Sequence, residues 1–284
     1  MTRPESAGMI AADAAAGRAG RPVVLVHGWN SHPGIWSRLA ERLEAASVPC
    51  WRFDHSAMAD ADLAGRAAAL ATYVAGMRDR AGYDGPIDVV SHSFGACIAR
   101  QCLEVADGAA RQARVRQLIM LGPPNNGSAL AELFSDLALG PVVTSRLAGA
   151  FVPREFDPFA DPIVQDVRPG SRAMRALRAA GLRDDIAYRV IVTANPAGSE
   201  AFFPWFEGRT WELGEGGGWQ RTLCGDGVVA HSESALPGVS LEVITPEPDG
   251  GRPRIPPQQF CHIRLTWNLA VIDRVMGYLV APAP

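Results

Sequence analysis

At 284 residues, with 48% hydrophobic and 20% charged residues, the chain is long enough to bury a sizeable core and has the composition of a globular protein. A formal net charge of −3, a pI near 6.1 and the lack of a Lys/Arg cluster interleaved with aromatics exclude an electrostatic footprint for nucleic acid. No run approaches the roughly 18 apolar residues of a membrane span, and the alanine-rich N-terminus lacks the sustained apolar stretch of a signal peptide, so a cytoplasmic protein is expected.

In chain order, residues 23–27 are the first predicted strand, whose apolar run closes in His27-Gly28-Trp29. Residues 34–46 carry Ile35, Trp36, Leu39 and Leu43 at helical spacing, 50–53 read as the second strand, and 63–80 as an alanine-filled helix. The third strand, 87–91, runs into Ser91-His92-Ser93-Phe94-Gly95 and a helix over 94–106. The fourth strand is 117–121 and the fifth 188–193, with more than sixty residues, 122–185, between them. That is too long for a plain crossover and reads as an insertion over one sheet edge, in which Leu130, Leu133, Phe134 and Leu137 form an amphipathic turn-and-a-half. Residues 195–225 are irregular but hold Phe202, Phe203, Trp205, Phe206, Trp211 and Trp219, which argues against disorder. Residues 241–244 are the sixth strand, 245–257 an exposed loop and 263–280 the closing helix. Strands apolar on successive residues, alternating with helices, predict an α/β fold around a mostly parallel sheet of about six strands. The cysteines, Cys50, Cys97, Cys102, Cys224 and Cys261, read as free thiols, a Cys224–Cys261 bridge being the one pairing left open.

The strand–turn–helix context gives Ser93 its meaning. A serine on such a sharp turn has its hydroxyl lifted clear of the sheet, and the helix start behind it favours developing negative charge. The turn demands small residues two before and two after the serine: Gly95 satisfies one side, and Ser91 adds only a hydroxymethyl group on the other. The plainer reading is a turn with a capping serine. Acyl transfer also needs backbone N–H donors aimed at the oxyanion, one after the nucleophile and one from the loop after the first strand; Phe94 and Trp29 hold those positions. A serine needs a general base, and the base an orienting acid. His262 precedes the closing helix, at the sheet's carboxyl edge, with His231 as the alternative base. Asp226, in Gly225-Asp226-Gly227-Val228-Val229, is the candidate acid, against a plain tight turn; Asp249 and Glu247 are its rivals.

Taken in the order Ser93, Asp226, His262, these motifs resemble those of the α/β-hydrolase superfamily, and within it the bacterial lipase/esterase group, from Val23 to the last helix. Leu121-Gly122-Pro123-Pro124-Asn125-Asn126-Gly127-Ser128 is similar to the Thr-Pro-His-x-Gly-Ser stretch of those lipases, and Asp226-Gly227-Val228-Val229 to their Asp-Gly-x-Val motif. The resemblance implies one α/β-hydrolase domain over 1–284, with 1–21 as a flexible tail and 122–185 as a lid or cap insertion after the fourth strand. It implies a Ser93–His262–Asp226 triad with Trp29 and Phe94 as oxyanion donors, cleaving a small-molecule ester or lipid-like acyl substrate through an acyl-enzyme, with no cofactor and no metal. Leu130, Phe134 and Leu137 are expected to line the acyl pocket under a lid at 128–152, unless the stripe only packs on the core. An amidase, thioesterase or acyltransferase would use the same machinery, and a non-catalytic ligand-binding protein the same fold.

Overall fold

A computed structural model describes residues 20–214, 216–246 and 255–280. The strands are β1 (Val23–Val26), β2 (Cys50–Phe53), β3 (Ile87–His92), β4 (Val115–Leu121), β5 (Ala187–Thr193), β6 (Thr210–Leu213), β7 (Trp219–Thr222) and β8 (Leu241–Ile244). Six of them form one parallel sheet in the order β2-β1-β3-β4-β5-β8, and these are the six predicted strands, with ends moved by at most two residues. The helices are α1 (Ser37–Ala45), α2 (Leu63–Ala81), α3 (Phe94–Arg100), α4 (Ala129–Phe134), α5 (Gly140–Leu147), α6 (Pro162–Asp166), α7 (Arg172–Ala180), α8 (His231–Ser234) and α9 (Leu269–Val280).

Strand side chains alternate between the two faces, and both faces are covered. Val23 and Leu25 pack with Leu39 and Leu43 of α1 and Val271 and Val275 of α9. Val24 and Val26 belong to the opposite layer with Leu70 of α2, Ile98 of α3 and Leu177 of α7. The strand order reverses between β1 and β3, so the crevice of this sheet opens at their carboxyl ends. His27-Gly28-Trp29 and Ser93 both leave the sheet there.

Local chemistry explains where helix ends depart from expectation. α2 begins where Asp62 Oδ1 accepts from Gly65 N at 2.8 Å and stops at Gly82, in the left-handed region at φ 57°. The helix after Ser93 continues as a π-helix over Gln101–Asp107. The closing helix starts later than predicted: His262–Trp267 is a 3-10 turn, and Asn268 Oδ1 then accepts from Ala270 N and Val271 N to start α9 afresh.

Two longer segments correct the sequence reading. The insertion after β4 covers no edge strand, because β4 and β5 are interior neighbours; its α4 and α6 line the cleft at Ser93, over the carboxyl ends of the strands. Residues 195–225 contain the β6–β7 hairpin, whose Trp211 packs edge-on against fully buried Phe206. Residues 1–19 of the expected tail and both Glu247 and Asp249 lie outside the described residues. All five cysteines are free thiols. Among the described residues, no helix is long and apolar enough to cross a membrane.

Candidate functional site

Ser93 caps α3 with φ 55° and ψ −132°, a conformation a residue with a Cβ seldom adopts. It is half-buried while Ser91, His92, Phe94 and Gly95 around it are buried, so the turn exposes one hydroxyl. Gly95 permits the turn. A Cβ there would lie 2.5 Å from the carbonyl oxygens of both Val26 and His27, which are fixed backbone at the end of β1. Gly95→Ala is therefore expected to cost about 3 kcal/mol in urea unfolding; a loss below about 1 kcal/mol would show that the turn yields freely.

Ser93, His262 and Asp226 are joined in series. Ser93 Oγ–H donates to His262 Nε2 at 2.8 Å, and His262 Nδ1–H donates to Asp226 Oδ2 at 2.7 Å. Asp226 Oδ1 accepts from Val228 N at 3.0 Å and Val229 N at 2.7 Å, while His262 N donates to the Asp226 carbonyl at 2.8 Å. The carboxylate is thus held from the side away from the histidine and fixes its tautomer. Gly122, directly after β4 at φ 53°, leaves room for the pair: a Cβ there would meet Asp226 Oδ2 at 2.6 Å. Nothing in the sequence around Gly122 marks this role. Thr210 Oγ1 of the hairpin accepts from Gly227 N at 2.8 Å, so the aromatic segment braces the acid loop. His231 is elsewhere, its Nε2 donating to the Thr193 carbonyl. His92 donates through Nε2 to the carbonyl of His262 at 3.0 Å; burial and neighbouring His262 push it down to about 3, so it is neutral.

The loop after β1 is held by its own His27 together with His55, Arg66 and Asp161, which the sequence did not single out. His27 and His55 stack at 3.8 Å and exchange hydrogen bonds: His55 N donates to His27 Nε2, and His55 Nε2 donates to the His27 carbonyl. His27 Nδ1 donates to the Gly28 carbonyl, and Arg66 Nη1 donates to His55 Nδ1 at 2.7 Å. Burial, with His27 beside it, pushes His55 down to about 4, and burial lowers His27 as well, so both rings favour the neutral form. Trp29 Nε1 donates to Asp161 Oδ2 at 3.0 Å, and the other oxygen of Asp161 caps α6. One carboxylate therefore ties the candidate oxyanion loop to the insertion. Phe94 N, in the first turn of α3, has no helical partner of its own.

Trp29, Ser93 and Phe94 line one narrow cleft of about 50 Å³ with Leu130, Phe134 and Phe151 of the insertion. Leu137, expected with Leu130 and Phe134, is 93% exposed and takes no part. α4 ends at Phe134, so the helical spacing that joined the three does not extend to residue 137.

Glu233 is a buried acid that sequence reasoning passed over. Its two carboxyl oxygens accept from Ala230 N at 2.6 Å and from Ala129 N, tying the first turn of α4 to the acid loop. Burial pushes it up to about 8 from an ordinary 4.5, against the pull of those donors. A carboxyl raised on folding holds its proton more tightly in the fold; its contribution is complete below about pH 4.5 and lost as pH rises toward 8. Unfolding free energy is expected to fall between those values by up to about 1.4 kcal/mol per pH unit. Glu233→Gln should flatten that slope in urea titrations; an unchanged slope would assign it to other groups.

The model of the family described as "Domain of unknown function (DUF7379)" matches residues 2–152, just over half of the chain. No curated protein matches the sequence. Among solved structures, the mature form of the Bacillus licheniformis lipase BlEst2 superposes over 93% of this chain and 93% of its own, with TM-score 0.63 and 20% identity. The metagenomic carboxyl esterase MGS0156 superposes over 92% of this chain and 76% of its own (TM-score 0.57, 18% identity). Phospholipase PlaB from Legionella pneumophila does so over 93% of this chain and 60% of its own (TM-score 0.57, 16% identity). These likenesses show the α/β-hydrolase fold.

Proposed function

The chain belongs to the DUF7379 family, whose description names no function, and for it we propose a serine hydrolase that cleaves carboxylic esters. The observation that carries this reading is the unbroken series Ser93 Oγ, His262 Nε2, His262 Nδ1, Asp226 Oδ2, with its first member on a strained turn. His262 takes the Ser93 proton as Oγ attacks the ester carbonyl, and Asp226 stabilises the imidazolium that forms. Backbone N–H groups of Trp29 and Phe94 receive the oxyanion. The tetrahedral intermediate collapses, the alcohol leaves with the proton from His262, and water activated by the same histidine releases the acid. Structural similarity to a lipase, a carboxyl esterase and a phospholipase favours esters over the amides and thioesters that this machinery also accommodates.

A fluorophosphonate probe tests the reading: the wild type should be labelled covalently, and an unlabelled wild type would overturn it in favour of a ligand-binding protein on this fold. The cleft is too tight for a long acyl chain as it stands, so we assign Leu130–Phe134 and Phe151 to a roof that sets chain length. Phe134→Ala is expected to shift preference among p-nitrophenyl esters toward longer acyl groups by about tenfold in kcat/KM, as one ring's volume is opened. An unchanged profile would reduce this segment to core packing.

A further inference from the structure

A second cavity, of about 370 Å³, lies between α2, the π-helix that continues α3 and the first residues of β1, β3 and β4. It occupies the end of the sheet opposite Ser93 and shares no lining residue with the cleft there. Its interior is aliphatic, walled by Val24, Leu70, Val89, Ala99 and Leu103, all buried, and its lining contains no aromatic ring. One wall is the π-helical segment, a rare geometry found disproportionately at functional sites.

The rim is polar and carries an imbalance. Asp107 is committed: Arg183 Nη1 donates to it at 2.6 Å, and the N–H groups of Gln112 and Ala113 donate to it as well. Arg78 has no carboxylate partner among the described residues. It donates to the carbonyls of Gly85 at 2.7 Å and Ala113 at 2.8 Å, and its Nε–H is buried with no acceptor. A buried donor on a permanent cation, left unpaired, costs free energy that an anionic acceptor would recover.

We propose that this cavity binds a medium-chain fatty acid, with the chain in the aliphatic interior and the carboxylate on Arg78. The volume falls at the small end of the roughly 300–1,000 Å³ range of ligand sites, which suits one chain rather than a two-chain lipid. An aliphatic lining without rings suits a flexible chain rather than an aromatic ligand. One under-neutralised guanidinium matches a singly charged head group. The site stands independently of the chemistry at Ser93.

Calorimetric titration of the full chain with hexanoate, octanoate, decanoate and decanol tests it. One site is expected, with affinity rising about fourfold per added methylene and decanol binding at least tenfold more weakly than decanoate. Val74→Trp and, separately, Ala99→Leu fill the cavity from α2 and α3 and should each weaken decanoate at least tenfold while circular dichroism reports an intact fold. Wild-type affinity in either folded variant would overturn the proposal, as would equal affinity for decanol or the absence of binding. Decanoate binding that disappears once Ser93 is phosphonylated would place the ligand in the other cleft and overturn it too.

Discussion

Ser93→Ala is expected to lower kcat/KM for p-nitrophenyl esters by about 10⁴-fold or more and to abolish fluorophosphonate labelling. The loss follows from geometry: Ser93 Oγ is the hydroxyl that donates to His262 Nε2, and the hydroxyls flanking it cannot replace it. Ser91 is fully buried in β3, with its Oγ 3.5 Å from the Ile119 carbonyl, and Ser128 Oγ caps α4 by accepting from Ala131 N. Ser93→Gly should be equally inactive yet more stable than Ser93→Ala, because glycine tolerates φ 55° where a Cβ is strained; a gain of about 1 kcal/mol in urea unfolding is expected. Stability lost to a conformation that serves only to present one hydroxyl is the signature of a functional turn. If Ser93→Ala kept wild-type turnover, the site would have to be sought elsewhere.

How much of this was legible depended on how local each signal was. The sheet strands were, because apolar runs of four to seven residues between helices leave few alternatives in a parallel sheet. So were Ser93, Asp226 and His262, since each follows a strand or loop whose end the sequence marks. Their meeting was legible only through the resemblance and not in any local motif, because Asp226 and His262 are brought to Ser93 from 133 and 169 residues away, by the order in which strands pair. Ser91, the small residue two before Ser93, sits within β3 with its side chain fully enclosed, so its hydroxymethyl group is accommodated beside the turn. The supports were the least legible. Asp161 reaches Trp29 across 132 residues, His55, Thr210 and Glu233 act through backbone groups that carry no sequence signature, and Arg66 acts through the His55 ring. Leu137 failed for the opposite reason: a local helical period was extended past the point where α4 stops.

Asp226→Asn is expected to fold normally and to lose about 10⁴-fold in kcat. The size of the loss comes from what holds the side chain. Val228 N and Val229 N both donate to Asp226 Oδ1, so an asparagine must turn its carbonyl oxygen toward them and its amide nitrogen toward His262. That nitrogen is a donor, and His262 Nδ1 must then accept. The imidazole proton moves to Nε2, the atom that faces Ser93 Oγ at 2.8 Å, and the base arrives at the serine already protonated. Because the three groups act as one unit, adding Asp226→Asn to Ser93→Ala should cost nothing further. Rapid fluorophosphonate labelling of Asp226→Asn would show that the histidine keeps its working tautomer without the carboxylate, and the acid would have to be reassigned. A large loss in the single variant with no further loss on adding it to Ser93→Ala would instead fix Asp226 as the group that orients His262, since a residue needed only for folding would lower stability in both.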